Sequence, residues 1–277
     1  MNNLIKILPS AEDASTLHLL AETDDAGIAF VFYTSDPFEM KGLHWYQFAK
    51  GTSSLDNINE MEKLLSSEEI LQQPFLSVAL CSNVKEAILV PEKYFNVQNA
   101  EAMISLQYGN GYDGKILSEE TPVINAVVAY KPATTFIKIW NQKFPGSTTH
   151  HSTALQLKDK SFDANVLDCI ISPLFIKLFL YKNGMLQIVQ QFDYKVPADV
   201  VYHMLNSCMQ FELEPAKVFI LLSGLIEENS ALYQEIYKYF LQVKFMESPT
   251  DLCSEAFQEY PSHYFSSLIH LARQCAL

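Results

Sequence analysis

The sequence predicts an α/β chain of two mixed five-stranded sheets flanked by helices. Three observations carry this. Each half opens with β-branched and aromatic runs joined by short turns, which is the mark of antiparallel strands. Each half closes with apolar runs that alternate with helix-period segments, which is the mark of strand–helix crossovers. The helices are introduced by capping residues or prolines. In order, the elements read βββαβαβα and then ββ(β)αβαβα.

In the first half, residues 17–21, 28–33 and 43–49 form a meander, with turn residues at Thr23-Asp24-Asp25-Ala26-Gly27 and Asp36-Pro37 between them. Asn57 is placed to cap a helix, with Glu60 reaching back and Ile58, Met61 and Leu65 on one face. Residues 76–81 form a fourth strand and residues 100–108 a helix. Pro122 opens a buried strand that runs through Tyr130. Pro132 starts a helix presenting Phe136, Ile139, Trp140 and Lys143 on one side, and Pro145-Gly146 ends it.

In the second half, residues 174–181 and 185–192 flank Asn183-Gly184, a strong hairpin signal. A helix from Ala198 aligns Val201, Met204 or Leu205, Cys208 and Phe211, and Pro215 closes that segment. Residues 217–222 read as a strand buried on both faces, as parallel sheets require. Asn229 or Ser230 caps a helix carrying Leu232, Ile236 and Phe240; residues 243–246 form a short strand. Pro261 starts a last helix with Phe265, Leu268, Ile269 and Ala272 facing inward. The expected division is 1–169 and 170–277, with the C-terminal helix packing back at the hinge between the domains.

Composition narrows the function. The 277 residues are 49% apolar with a net charge of −13, which suits packed cores and excludes disorder as a main theme. No basic run exists to displace counterions from phosphates, so nucleic acid is not an expected partner. Arg273 is the only arginine, which argues against guanidinium clamps on phosphate or carboxylate. No apolar stretch approaches the ~18 residues a membrane span needs, and the opening residues do not make a signal peptide. Cys81, Cys169, Cys208, Cys253 and Cys275 lie mostly in apolar segments and read as core residues in a reducing compartment, so a cytoplasmic location is expected.

Two halves in this order resemble the actin-like ATPase fold (ribonuclease H-like) of actin, sugar kinases and heat-shock chaperones. More specifically, the chain is similar to a bacterial family of unknown function with that duplicated fold. Its architecture is related to the cytoplasmic actin-like proteins that assemble pilus and type II secretion machines. The resemblance implies ATP with magnesium as ligand and an Asp-x-Gly turn between the first two strands of each half, where backbone amides approach phosphate. In the first half the turn is Glu22-Thr23-Asp24-Asp25-Ala26-Gly27, with acids and a glycine at a different spacing. In the second half Tyr181-Lys182-Asn183-Gly184 is too tight and lacks the acid. The adenosine-side motif, a hydrophobic strand ending in small residues and glycine, is best matched by residues 218–225, with Ser223-Gly224 at the turn and Leu225 where a second glycine belongs. Asp24, Gly27, Ser223 and Gly224 are therefore the vestigial nucleotide-site candidates, with no catalytic or metal residue assigned and no cofactor expected beyond the ATP and magnesium that the resemblance allows.

Other groupings carry less. Gly109-Asn110-Gly111-Tyr112-Asp113-Gly114-Lys115 matches G-x-G-x-x-G, but a phosphate loop needs a strand before it and a helix after it. The preceding segment reads as helix and Ile116 replaces the metal-binding hydroxyl, so a surface loop is expected. Adjacent His150-His151 diverge and offer no chelate alone. Cys253, His263, His270 and Cys275 fit no compact zinc module, and Ser223 sits in no nucleophile elbow. Tyr233, Tyr237, Tyr239 and Phe240 read as core and rim, with some of the 14 tyrosines suited to an interface.

The expected function is a non-catalytic or weakly nucleotide-binding scaffold acting on a protein partner, able to self-associate. An active ATPase or phosphotransferase of the same fold is the alternative. An unrelated two-domain enzyme using the Gly109–Lys115 loop is a third reading. Of only nine glycines, three (Gly109, Gly111 and Gly114) fall in that loop, leaving few for phosphate contacts.

Overall fold

A computed structural model describes residues 2–9, 14–49, 54–109 and 114–276. The chain forms two compact units: Met1–Lys158 with Asp251–Phe257 and His270–Leu277, and Asp159–Thr250 with Gln258–Ile269.

The first unit begins with β1 (Asn2–Ile7), β2 (His18–Thr23), β3 (Gly27–Ser35) and β4 (Phe38–Gln47), followed by α1 (Ser54–Ser67) and β5 (Ser77–Ser82). Then come β6 (Ala87–Pro91), α2 (Val97–Tyr108), β7 (Leu117–Thr121), β8 (Ala126–Tyr130), α3 (Thr134–Lys143), β9 (Thr148–His151) and α4 (Ser152–Gln156). The main sheet runs β1-β4-β3-β2-β5-β9. Strands β2, β3 and β4 pair antiparallel, whereas β5 joins β2, and β9 joins β5, in parallel.

The apolar periodicities explain the packing. Met61, Leu64 and Leu65 of α1 and Phe136 and Trp140 of α3 are buried against Leu19, Phe30, Phe32 and Leu80 of the sheet. Every residue from Gly27 to Tyr33 is buried, as befits a central strand covered on both faces. A separate three-stranded sheet, β6-β8-β7, is inserted between β5 and α3, with all five residues of β8 buried.

The second unit contains β10 (Val166–Ile171), β11 (Phe175–Lys182), β12 (Met185–Asp193), α5 (Pro197–Gln210), β13 (Phe219–Gly224), α6 (Ala231–Tyr237) and β14 (Gln242–Phe245). Helix α7 (Ser266–Ala276) follows. Its sheet runs β12-β11-β10-β13-β14, with β10 antiparallel to β11 and parallel to β13. Val200, Val201, Met204 and Cys208 of α5 and Ile236 of α6 bury one face, against Leu167, Cys169, Leu178, Leu180 and Ile220.

Taking β2 and β10 as first strands, both sheets have the order third-second-first-fourth-fifth with the same strand directions. The α/β class and the repetition predicted from sequence are present, with four differences. The first sheet has six strands, because β1 adds to the β4 edge, and the inserted sheet was not anticipated. A boundary at 169/170 would cut β10, which is the first strand of the second sheet; the units part at Lys158/Asp159. The first unit is also discontinuous: residues 251–257 return to it through Ser254, whose amide donates to the Met40 carbonyl at 3.0 Å.

The physical reason for missing β10 is Asp168. A carboxylate in mid-run breaks an apolar signal, yet here it is fully buried and paired with Lys160 at 2.5 Å. Helix α1 starts at Ser54, three residues before the expected Asn57 cap. The final helix is also shorter than expected, with a 3₁₀ turn at Ser262–Tyr264 preceding α7.

Candidate functional site

In an α/β sheet, ligands collect beyond the carboxyl ends of the strands, where neighbouring crossovers diverge. In the first unit that point lies between β2 and β5. A cavity of about 90 Å³ lies there, lined by Thr23, Asp24, Asp25, Asn57, Ser82, Glu86 and Lys131, with Phe48, Met61 and Phe136 among its apolar walls. That is the volume of about three waters, far below the roughly 300–1,000 Å³ of pockets for larger organic ligands. The Ser82 hydroxyl is buried there without a hydrogen-bond partner, so its donor and acceptor capacity remains for water or a small polar ligand.

The β2–β3 turn beside this cavity closes on itself. The Asp24 carboxylate accepts from the Ala26 amide at 2.6 Å and the Gly27 amide at 2.8 Å. The Asp24 amide in turn donates to the Gly27 carbonyl at 3.1 Å. Gly27 is needed for packing: a Cβ there would lie 2.0 Å from the Tyr46 carbonyl oxygen of β4. The glycine that marked a candidate phosphate turn thus has a sheet-packing reason of its own.

The corresponding turn of the second sheet is Ser172-Pro173-Leu174, between β10 and β11. This corrects the sequence reading, which placed it at Tyr181-Lys182-Asn183-Gly184; that tetrapeptide joins β11 to β12. The observed turn has no glycine or acid, and Pro173 has no amide hydrogen to offer an anion. Its Ser172 amide donates to the Phe175 carbonyl at 2.9 Å.

Ser223 and Gly224 end β13, in the other unit from Asp24 and Gly27. The Ser223 hydroxyl is buried and donates to the Cys169 carbonyl at 3.5 Å. Gly224 has φ +82°, and a Cβ there would sit 2.2 Å from the Ile171 carbonyl oxygen, so only glycine fits. The Leu225 amide donates to that same carbonyl at 2.9 Å.

The remaining groupings resolve into structural roles. Gly109 caps the C-terminal end of α2, and β7 follows, the reverse of the strand-then-helix setting that a phosphate loop needs. Residues 110–113, including Gly111, lie outside the described residues. His150 pairs with Glu119 at 2.8 Å, while His151 is buried, with its Nδ1 accepting from the Thr153 amide at 3.2 Å and its Nε2 donating to the Val84 carbonyl at 3.1 Å. His263 Nε2 donates to the Ile226 carbonyl at 2.7 Å, and His270 Nε2 to the Leu155 carbonyl at 3.1 Å. Among the described residues, no group of three or more His, Cys, Asp or Glu side chains could hold a metal ion.

Sequence reasoning missed two polar clusters. One is His44, Tyr46, Lys6 and Glu68 in the first unit. The Tyr46 hydroxyl donates to Glu68 at 2.7 Å and Lys6 pairs with it at 3.1 Å. Burial alone would raise the Glu68 carboxyl, but those hydrogen bonds and the Lys6 charge hold it below its ordinary value. The other cluster is Lys160, Asp168 and Tyr181 in the second unit, where Lys160 also stands 5.1 Å over the Phe179 ring. Burial first, then the Asp168 charge, pushes the Tyr181 phenol up. Asp168 inside an apolar run was the available signal.

The chain is similar to a Bacteroides thetaiotaomicron protein described as having an actin-like ATPase fold and unknown function: TM-score 0.74, 14% identity, covering 92% of this chain and 96% of that one. It is also similar to a chain of the PilM–PilN type IV pilus biogenesis complex: TM-score 0.58, 12% identity, covering 95% and 99%. The protein therefore has the actin-like ATPase fold. By sequence, residues 10–243 match the family described as protein of unknown function (DUF3822), and the chain belongs to that family. A comparison with curated proteins finds no match. Among the described residues, no helix is long and apolar enough to cross a membrane.

Proposed function

We propose that this chain is a non-catalytic or weakly nucleotide-binding actin-like scaffold that works through contacts with a protein partner. The observation that carries this is the β2–β3 turn, whose Ala26 and Gly27 amides already donate to Asp24. A triphosphate would have to displace the Asp24 carboxylate from those amides, and like charges at that point disfavour the exchange. The proline-bearing Ser172-Pro173-Leu174 turn and the Leu225 amide bonded to the Ile171 carbonyl support the same reading. The residues present do not fit an ATP–magnesium group. The likeness to a chain of a pilus biogenesis complex is in keeping with a role in assembly.

Thermal denaturation with magnesium and ATP tests the proposal. A ligand at 100 times its Kd adds about 2.7 kcal/mol of apparent stability, so no shift at millimolar nucleotide is expected. Magnesium-dependent hydrolysis that disappears in Asp24→Asn would overturn it. Gly224 is a poor probe of binding, because any side chain there breaks the β13 turn itself.

One observation favours the alternative of a working ATPase or phosphotransferase. The cavity between β2 and β5 gathers Asp24, Asp25, Glu86 and Lys131 beside the unpartnered Ser82 hydroxyl. The same pair of measurements decides between the two.

A further inference from the structure

Ser82 closes the deep side of the cavity between β2 and β5. Leu80 of β5 packs in the core with Met61 of α1 and Phe136 of α3. Side chains alternate along a strand, so Ser82 points to that same face, into the space that these two helices enclose. It is 1% exposed, and its hydroxyl has no hydrogen-bond partner. A hydroxyl withdrawn from water without a partner costs free energy that a bound polar group returns.

The charges around that hydroxyl set the sign of such a group. Three carboxylates line the cavity, Asp24, Asp25 and Glu86, against one ammonium, Lys131. Glu86 is 4% exposed, whereas Asp25 is exposed and marks the solvent side. The turn amides suited to an anion, Ala26 and Gly27, already donate to Asp24. An excess of negative charge in a sheltered site favours a cation. Two observations then choose among cations. Among the described residues, no three His, Cys, Asp or Glu side chains are placed to hold a metal ion. Phe48, Met61 and Phe136 also give the cavity apolar walls, which suit a short hydrocarbon stem better than a hydrated ion.

We propose that this cavity binds a small primary ammonium ion of the size of ethylammonium. Its N–H groups donate to the Ser82 hydroxyl oxygen and to the carboxylates, and its carbon stem lies against the apolar walls. The cavity of about 90 Å³ has room for about three waters, which matches the three non-hydrogen atoms of that ion. The inference rests on the reading that no triphosphate occupies the β2–β3 turn, and it assigns the cavity beside that turn a ligand of opposite charge.

The experiment is thermal denaturation of the full chain titrated with ethylammonium chloride, with sodium chloride and tetraethylammonium chloride at equal ionic strength as controls. A ligand of three non-hydrogen atoms binds at best in about the millimolar range. The expected result is a saturating rise of about 2–4 °C by about 100 mM ethylammonium, which neither control gives. Ser82→Ala removes an unpartnered hydroxyl, so it keeps or raises the melting point of the free protein and weakens ethylammonium binding by at least about fivefold. Glu86→Gln keeps the shape, removes the charge and weakens binding by at least about tenfold. No saturating rise with ethylammonium overturns the proposal. So does an equal rise with either control, or binding indifferent to both variants. Magnesium and ATP run in parallel separate the two readings: a shift with ATP removes the reading on which the site rests, whereas no shift with ATP or ethylammonium overturns the ammonium site alone.

Discussion

Asp24 shows how one side chain can decide a turn. Its carboxylate holds the Ala26 and Gly27 amides, and charged acceptors make the stronger hydrogen bonds. Asp24→Ala should lower stability by about 1–2 kcal/mol in denaturant unfolding. A change near zero would mean that water replaces the carboxylate freely and that the turn is open to other anions. This residue and Gly27 were legible in the sequence as a turn bearing acids and glycine. What the turn does with its amides was not legible, because the direction of a carboxylate depends on backbone geometry, which composition does not encode. Asp168 makes the converse point. Its charge disguised a core strand, and only the approach of Lys160 explains how a carboxylate stays buried there.

At the scale of elements, the long periodic segments were readable and the short ones were not. Helices α1, α3 and α5 bury the faces that spacing assigned to them, and the Asn183-Gly184 hairpin joins β11 to β12. Strand β1 escaped notice because two asparagines and Lys6 dilute its apolar residues. It is nevertheless a working part of the first sheet: Ile5 and Ile7 are buried at 4% and 6% exposure. Ile7→Ala should cost about 2–4 kcal/mol in denaturant unfolding, as large-to-small core changes do. A much smaller loss would make β1 a peripheral cover of the β4 edge. Strands β9 and β7 escaped because four or five residues carry too little periodicity to register, and β9 also pairs with a strand distant in sequence, β5.

For the molecule as a whole, the shifted groups that titrate from neutral to acid pH act in one direction. His44 is almost fully buried, and its Nδ1 lies 3.1 Å from Glu68 Oε2 without hydrogen-bond geometry. Burial, then Lys6, holds His44 below its ordinary value, against the opposing pull of Glu68. Burial likewise lowers His18 and His203. A base with a lowered folded value contributes stability that is complete above the unfolded value of about 6.5 and is lost as pH falls through the folded value. The lowered Glu68 carboxyl adds a loss of the same sign at more acid pH. The melting midpoint should therefore drop between about pH 8 and 5.5, and His44→Gln should flatten that slope. An unchanged slope in the variant would remove His44 from the account.

The sequence by itself determined the α/β class, the repeated element order and most core faces, because these follow from periodicity and turn chemistry along a continuous stretch of chain. It also marked Asp24, Gly27, Ser223 and Gly224 as the positions where an actin-like site had to be sought. Tertiary structure decided which turn of the second sheet corresponds to the first, since that depends on counting β10, a strand whose buried charge hides it. It also decided that these glycines face backbone carbonyls, Tyr46 for Gly27 and Ile171 for Gly224. A glycine pressed against a neighbouring strand and one pressed against phosphate are the same letter; only what lies across from the missing Cβ distinguishes them.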